Sequence, residues 1–195
     1  MTSIPPSPTT GLSRLASNQE KAVALLAAKG SGNVGLREMA TALEITAGAF
    51  YHHFAGKDDY LNFLLEAHYT ELLATVAISK AARPSLSATV GRMVDLHMRR
   101  ECYFILAARE YGELQRQDSD SAIGSLRHKI NQHLVRAVDI ELVNQPGCAC
   151  LGLLEHLLLW TAEANLLPSD RKVVIARLLA AGMKPAPARL LAEAN

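Results

Sequence analysis

Apolar residues in this chain recur at helical spacing and nowhere in sustained alternation, which argues against a sheet-based fold. Leu86, Val90, Met93 and His97 form one stripe, and Leu126, Ile130, His133 and Ala137 another. Each steps by three or four residues, as one face of a helix requires. Val and Ile are scattered through such spacings and do not gather into short runs bounded by turns. Of the 195 residues 49% are hydrophobic and only 5% aromatic, with much Ala and Leu, a composition that favours helices. A chain of this length can bury a good core and suits one or two domains. The expected fold is all-α with about nine helices, three short ones first.

Local punctuation places the elements. The opening MTSIPPSPTTGLS lacks the basic flank and apolar run of a signal peptide and suits a flexible tail over 1–16. Ser17 or Asn18 is the expected cap of a first helix, which Gly30 closes. A second helix is expected over about 35–42, with Leu36, Met39, Ala40 and Leu43 on one face. Thr46 then caps a third, running to about residue 53. Ala55-Gly56 breaks the chain before a long fourth helix, about 57–81, whose Asp58 and Asp59 suit the positive end of the helix dipole. Arg83-Pro84 ends it, because a residue preceding proline disfavours helix. Further helices are expected at about 85–99, 101–116, 120–143, 147–166 and 169–182. The domain division is a tail at 1–16, a helix-turn-helix head at 17–56 and a helical body at 57–195.

Charge and cysteine usage bound the function. Net charge is +1, so any affinity for nucleic acid must come from local residues. Within residues 1–60, Arg14, Lys21, Lys29, Arg37 and Lys57 balance Glu20, Glu38, Glu44, Asp58 and Asp59. Cys102, Cys148 and Cys150 are odd in number and unevenly spaced, which speaks against a disulfide framework and for a reducing cytosol. They do not complete a tetrahedral metal site, and small buried hydrophobes are their simpler role. No metal and no cofactor are expected. The apolar stretch LLEHLLLWTAEANLL is interrupted by Glu155, His156 and Glu163. Each charge would cost roughly 2.5–3.5 kcal/mol in a membrane span, so the stretch is expected to be a central helix, without membrane insertion. No nucleophile elbow, phosphate loop or His-Glu-x-x-His motif is present, and the chain is not expected to be an enzyme.

Residues 37 to 57, REMATALEITAGAFYHHFAGK, carry the functional information. Two short helical segments separated by a tight break, after a first helix, fit a helix-turn-helix unit. The second helix of such a pair lies in the major groove. Ala47, Gly48 and Ala49 let it sink there, while Phe50 and Phe54 turn back to the core.

The longer run REMATALEITAGAFYHHFAGKDDYL resembles the DNA-binding signature of the TetR family of bacterial regulators. Met39-Ala40, Thr46, Gly48, Phe50, Tyr51, His53, Phe54, Lys57, Asp58 and Leu61 fall on its pattern, and the match covers about residues 18–66. The resemblance implies that Tyr51 and Lys57 hold DNA phosphates and that Arg37 and Thr46 through Gly48 approach bases or nearby backbone. His52 faces outward beside Tyr51 and adds a phosphate contact, whereas His53 packs and positions the helix. Ala47 and Ala49 offer bases no side-chain hydrogen bond, so direct readout rests on Arg37 and thymine methyl contacts.

The resemblance further implies a dimeric, cytoplasmic, ligand-responsive regulator, a repressor of a palindromic operator released by a small-molecule effector. The alternative is a helical binding or sensor protein with weak or no operator affinity. Dimerisation is expected through the last two long helices, the first of which is apolar on too many sides to serve one chain's core. Met93, His97, Ile130 and His133 lie on stripes facing the interior of the body, and Phe104 and Trp160 are candidate walls of an effector site. A lone histidine on an apolar face is more often a satisfied core or boundary residue, and that reading stands beside the effector site for each. The expected effector is modest in size and largely apolar or aromatic, with one or two hydrogen-bonding groups.

Overall fold

A computed structural model describes residues 8–77, 85–110, 121–138 and 150–182. Among these residues there are nine α-helices and no strand. They are α1 (Pro8–Lys29), α2 (Leu36–Ala42), α3 (Ala47–His53), α4 (Lys57–Ala77), α5 (Leu86–Arg99), α6 (Glu101–Arg109), α7 (Ala122–Val138), α8 (Cys150–Glu163) and α9 (Pro168–Gly182). A 3₁₀ turn, Ser31–Asn33, joins α1 to α2.

The all-α expectation holds, and most boundaries fall within a residue or two of their sequence signals. The start of α1 is a correction. It begins at Pro8, where proline is tolerated in a first turn, well before Ser17 and Asn18. Asn18 is not a cap: its side chain is buried and Nδ2 donates to the carbonyl of Leu43 at 3.3 Å. That tertiary partner removes the need for a local one. The far ends expected for the fourth, sixth and seventh helices, Cys148 and the start expected for the eighth helix lie outside the described residues.

Two compact units divide the chain. The first comprises residues 1–68 and 101–118, so α1, α2, α3, the opening turns of α4 and α6 belong to it. In it α1 packs against α2 and α6, and α2 against α3. Its core holds Val23, Leu26, Met39, Leu43, Phe50 and Tyr60, all fully buried. The second comprises residues 69–100 and 119–195. There α9 packs on α5 and α8, and α7 on α8 and α5. Met93, Val94, Ile130, Leu154, Leu158 and Ile175 fill its interior. No described helix is long and apolar enough to cross a membrane.

Candidate nucleic-acid interface and the interior of the second unit

The link between α2 and α3 is the tight element of the first unit. Glu44 adopts φ 57, a left-handed conformation uncommon for a residue with a Cβ. This lets the Ile45 amide reach back to the carbonyl of Ala40 at 3.0 Å, closing α2 in the manner of a Schellman turn. Thr46 follows in extended conformation, and its Oγ1 accepts from the Ala49 amide at 3.0 Å. The expected N-cap of α3 is therefore in place.

From that cap, α3 presents two faces. Phe50 is buried and meets Phe54 and Tyr60 with ring centroids 5.3 and 5.7 Å away. Thr46, Gly48, Tyr51, His52 and His53 are exposed, as is Arg37 on α2, and Ala47 is half-buried. Tyr51 leaves 59% of its surface open, unusual for so large an aromatic ring, with one edge against Phe50. Gly48 has room: a Cβ added there would meet only Thr46 Oγ1, at 3.8 Å. Internal packing does not require the glycine, so its smallness is directed outward.

Three lysines of this unit are engaged internally. Lys21 pairs with Glu44 and Lys29 with Glu38. Lys57 is half-buried and its Nζ donates to the carbonyl of Ser31 at 2.8 Å. Arg37, Thr46, Ala47, Gly48, Tyr51, His52 and Lys57 thus all lie in the first unit, six of them on its outer face or at the mouth of α3 and Lys57 turned inward.

The candidate effector residues divide between the units. Met93 and His97 are buried on α5, Ile130 is buried on α7 and His133 is half-buried there. Phe104 belongs to the first unit, where it packs edge-on to His68 with centroids 4.8 Å apart. Trp160 is 51% exposed on α8.

Spacing did not reveal the polar groups that surround the buried set. Arg171 of α9 donates from Nη2 to His97 Nδ1 and to the Leu158 carbonyl, each at 3.0 Å, and from Nε to Thr161 Oγ1 at 3.3 Å. Burial, and then the Arg171 charge, push the His97 pKa down to about 4. In a second network Arg127 donates to the Tyr69 hydroxyl, which donates to Glu155 Oε1 at 3.1 Å. Glu155 is buried and its other oxygen lies 3.7 Å from Arg127 Nη1. Burial raises the carboxyl pKa, against the Arg127 charge, which lowers it. Glu155 within an apolar run was the one sequence signal for this network. The arginines carried none. Among the described residues no cluster of His, Cys, Asp or Glu could hold a metal ion.

Residues 20–62 match the model of a family described as bacterial regulatory proteins, tetR family. No curated protein matches the chain. Solved structures share its fold at low identity. A TetR family transcriptional regulator, PfmR from Thermus thermophilus, is 18% identical, with 86% of this chain and 99% of that one covered and a TM-score of 0.64. The fatty acid degradation regulator FadR from Bacillus halodurans is 15% identical, covering 89% and 100%, with a TM-score of 0.56. The transcriptional regulator FadR from Bacillus subtilis, in complex with stearoyl-CoA, is 16% identical, covering 89% and 100%, with a TM-score of 0.54.

Proposed function

We propose that this chain, with its tetR-family signature at residues 20–62 and the fold of TetR-family regulators, is a cytoplasmic, ligand-responsive transcriptional regulator. It acts as a homodimeric repressor on a palindromic operator and is released by a small-molecule effector. The observation that carries this function is the outward face of α3. A capped helix exposes Thr46, Gly48 and Tyr51, with Arg37 exposed on α2, and keeps space at Gly48 that the fold itself does not use. Such a face can approach a major groove closely, with Tyr51 and His52 on phosphates and Arg37 reading bases.

We assign the effector site to the second unit, among Met93, His97, Ile130 and His133. Phe104, in the other unit, and the exposed Trp160 are left out of that set. Buried apolar side chains beside a few polar anchors suit a largely apolar ligand. The Bacillus subtilis neighbour is complexed with stearoyl-CoA, whose acyl chain belongs to the same chemical class.

The test is selection of duplexes from a random pool by the full chain, followed by titration at several salt concentrations. The expected result is a palindromic site bound by two copies, with affinity falling linearly in the logarithm of salt. Failure to enrich any duplex at low salt would overturn the proposal. A second function has one observation in its favour, the pairing of Lys21 and Lys29 with Glu44 and Glu38. It is a helical small-molecule binding protein with weak or no operator affinity, and ligand binding without duplex binding would identify it.

A further inference from the structure

Lys57 opens α4, and a signature lysine at that place is expected to meet a DNA phosphate. Here the side chain turns into its own unit. Nζ donates to the Ser31 carbonyl at 2.8 Å and lies 3.5 Å from that of Val34. These two residues bracket the 3₁₀ turn between α1 and α2, and the same Ser31 oxygen accepts from the Val34 amide at 3.3 Å. Val34 itself is buried.

Besides Lys57, the connection is held by Asn33, whose Nδ2 donates to the Lys29 carbonyl at 2.9 Å, and by the Lys29–Glu38 pair that spans it. Gly30 stands at φ 82 without a side-chain cap bond, and Gly35, the N-cap residue of α2, makes none either. The end of α1 is gathered in a similar way, by Arg109 of α6 donating to the Ala28 carbonyl at 3.4 Å. An ammonium has three donors and no acceptor. Swinging it out to a phosphate would leave the Ser31 carbonyl with one donor fewer and release the start of α2, where Arg37 sits.

We infer that Lys57 is a positioning residue of the DNA reader: it clamps α4 to the α1–α2 turn, sets the place of α2 and Arg37, and is not a phosphate ligand. The inference rests on the DNA-reading function proposed above, yet the clamp can be measured without DNA.

The experiment compares the full-length wild type with Lys57→Met, Lys57→Gln and Lys57→Arg. In the free proteins, amide hydrogen exchange at Val34 and Met39, which donate to Ser31 and Gly35, should quicken about tenfold in Lys57→Met, the scale of one charge-assisted hydrogen bond. Lys57→Arg, which still donates, should restore protection. On the selected duplex, Lys57→Met should lose about tenfold in affinity while the slope of log affinity against log salt stays at the wild-type value. Loss of a phosphate contact would instead lower that slope by about 0.9. A slope lowered by this amount overturns the inference whatever the exchange shows, and so does unchanged exchange. Should Lys57→Met not fold, Lys57→Gln decides, because its amide donates to a carbonyl without neutralising a phosphate. Near-wild-type affinity and slope support the clamp, and a lowered slope overturns it. Should the wild type bind no duplex, the regulator function fails and the exchange alone judges the clamp.

Discussion

Arg171 of α9 donates to the Nδ1 of His97 of α5 across 3.0 Å, and both side chains are buried. Arginine has only donors, so that nitrogen of His97 carries no proton. The pair joins two helices 74 residues apart in sequence and makes the second unit sensitive to acid.

The sign of that sensitivity follows from the direction of the shift. Folded His97 titrates at about 4, and an unfolded histidine near 6.5. Between these values the unfolded chain binds more protons, so stability is full above about pH 6.5 and falls as pH drops toward 4. The loss from this group approaches roughly 3 kcal/mol at the acid end. His97→Gln keeps an acceptor for Arg171 and should flatten this part of the profile. Urea midpoints from pH 7.5 to 4.5 measure it, and an equally steep variant would contradict the assignment.

Glu155 acts in the opposite sense. Burial raises its pKa, so the folded chain holds the proton more tightly, and the stability this contributes fades as pH rises through the folded value. Glu155→Gln imitates the protonated form and can still accept from Tyr69. It should match or exceed the wild type at pH 7.5. Glu155→Ala also removes the acceptor of the Tyr69 hydroxyl and should cost about 1–3 kcal/mol relative to the glutamine variant, the usual result of leaving a buried donor unsatisfied. Guanidinium denaturation of both variants checks the order, and an alanine variant as stable as the glutamine one would refute it.

Gly48 separates folding from binding. A Cβ fits there at ordinary contact distance, and alanine is the better helix former. Gly48→Ala should therefore stabilise the first unit by up to about 1 kcal/mol. Gly48→Leu should fold as well but lose duplex binding at all sequences, because its bulk projects into the groove. Melting curves beside titrations test this. A leucine variant with full affinity would mean that α3 does not enter the groove.

Trp160 and Leu153 stand exposed two turns apart on α8, with Val173 and Leu178 exposed on α9. Apolar exposure of this kind marks association surfaces, and the proposed dimer places it against a second copy. Obligate interfaces bury on the order of 2,000 Å² or more in total. Trp160→Arg with Leu153→Arg should convert a dimer into a monomer of 21.1 kDa in sedimentation equilibrium. A double variant that still sediments as a dimer would move the interface elsewhere.

Much of the first unit was legible from residues alone, because its signals are local. Thr46 caps α3 through an amide three residues away, and Phe50 turns inward where helical spacing sends it. Such relationships lie within one or two helical turns, so the order of side chains along the chain encodes them directly. Glu44 shows the limit: nothing in its chemistry announces a left-handed residue, and only the closure of α2 imposes it.

Residue order alone is enough to make this chain helical, to place most of its helices, and to single out the short helix that turns small side chains outward. Tertiary structure decided the rest. Asn18 became a clasp to Leu43, Lys57 turned onto the Ser31 carbonyl, and Arg171 and Arg127 found His97, Tyr69 and Glu155. Long polar side chains carry no periodic signature of their partners. A buried charge or amide must be satisfied by whatever group packing brings within reach, and that group is distant in sequence and near only after the helices have packed.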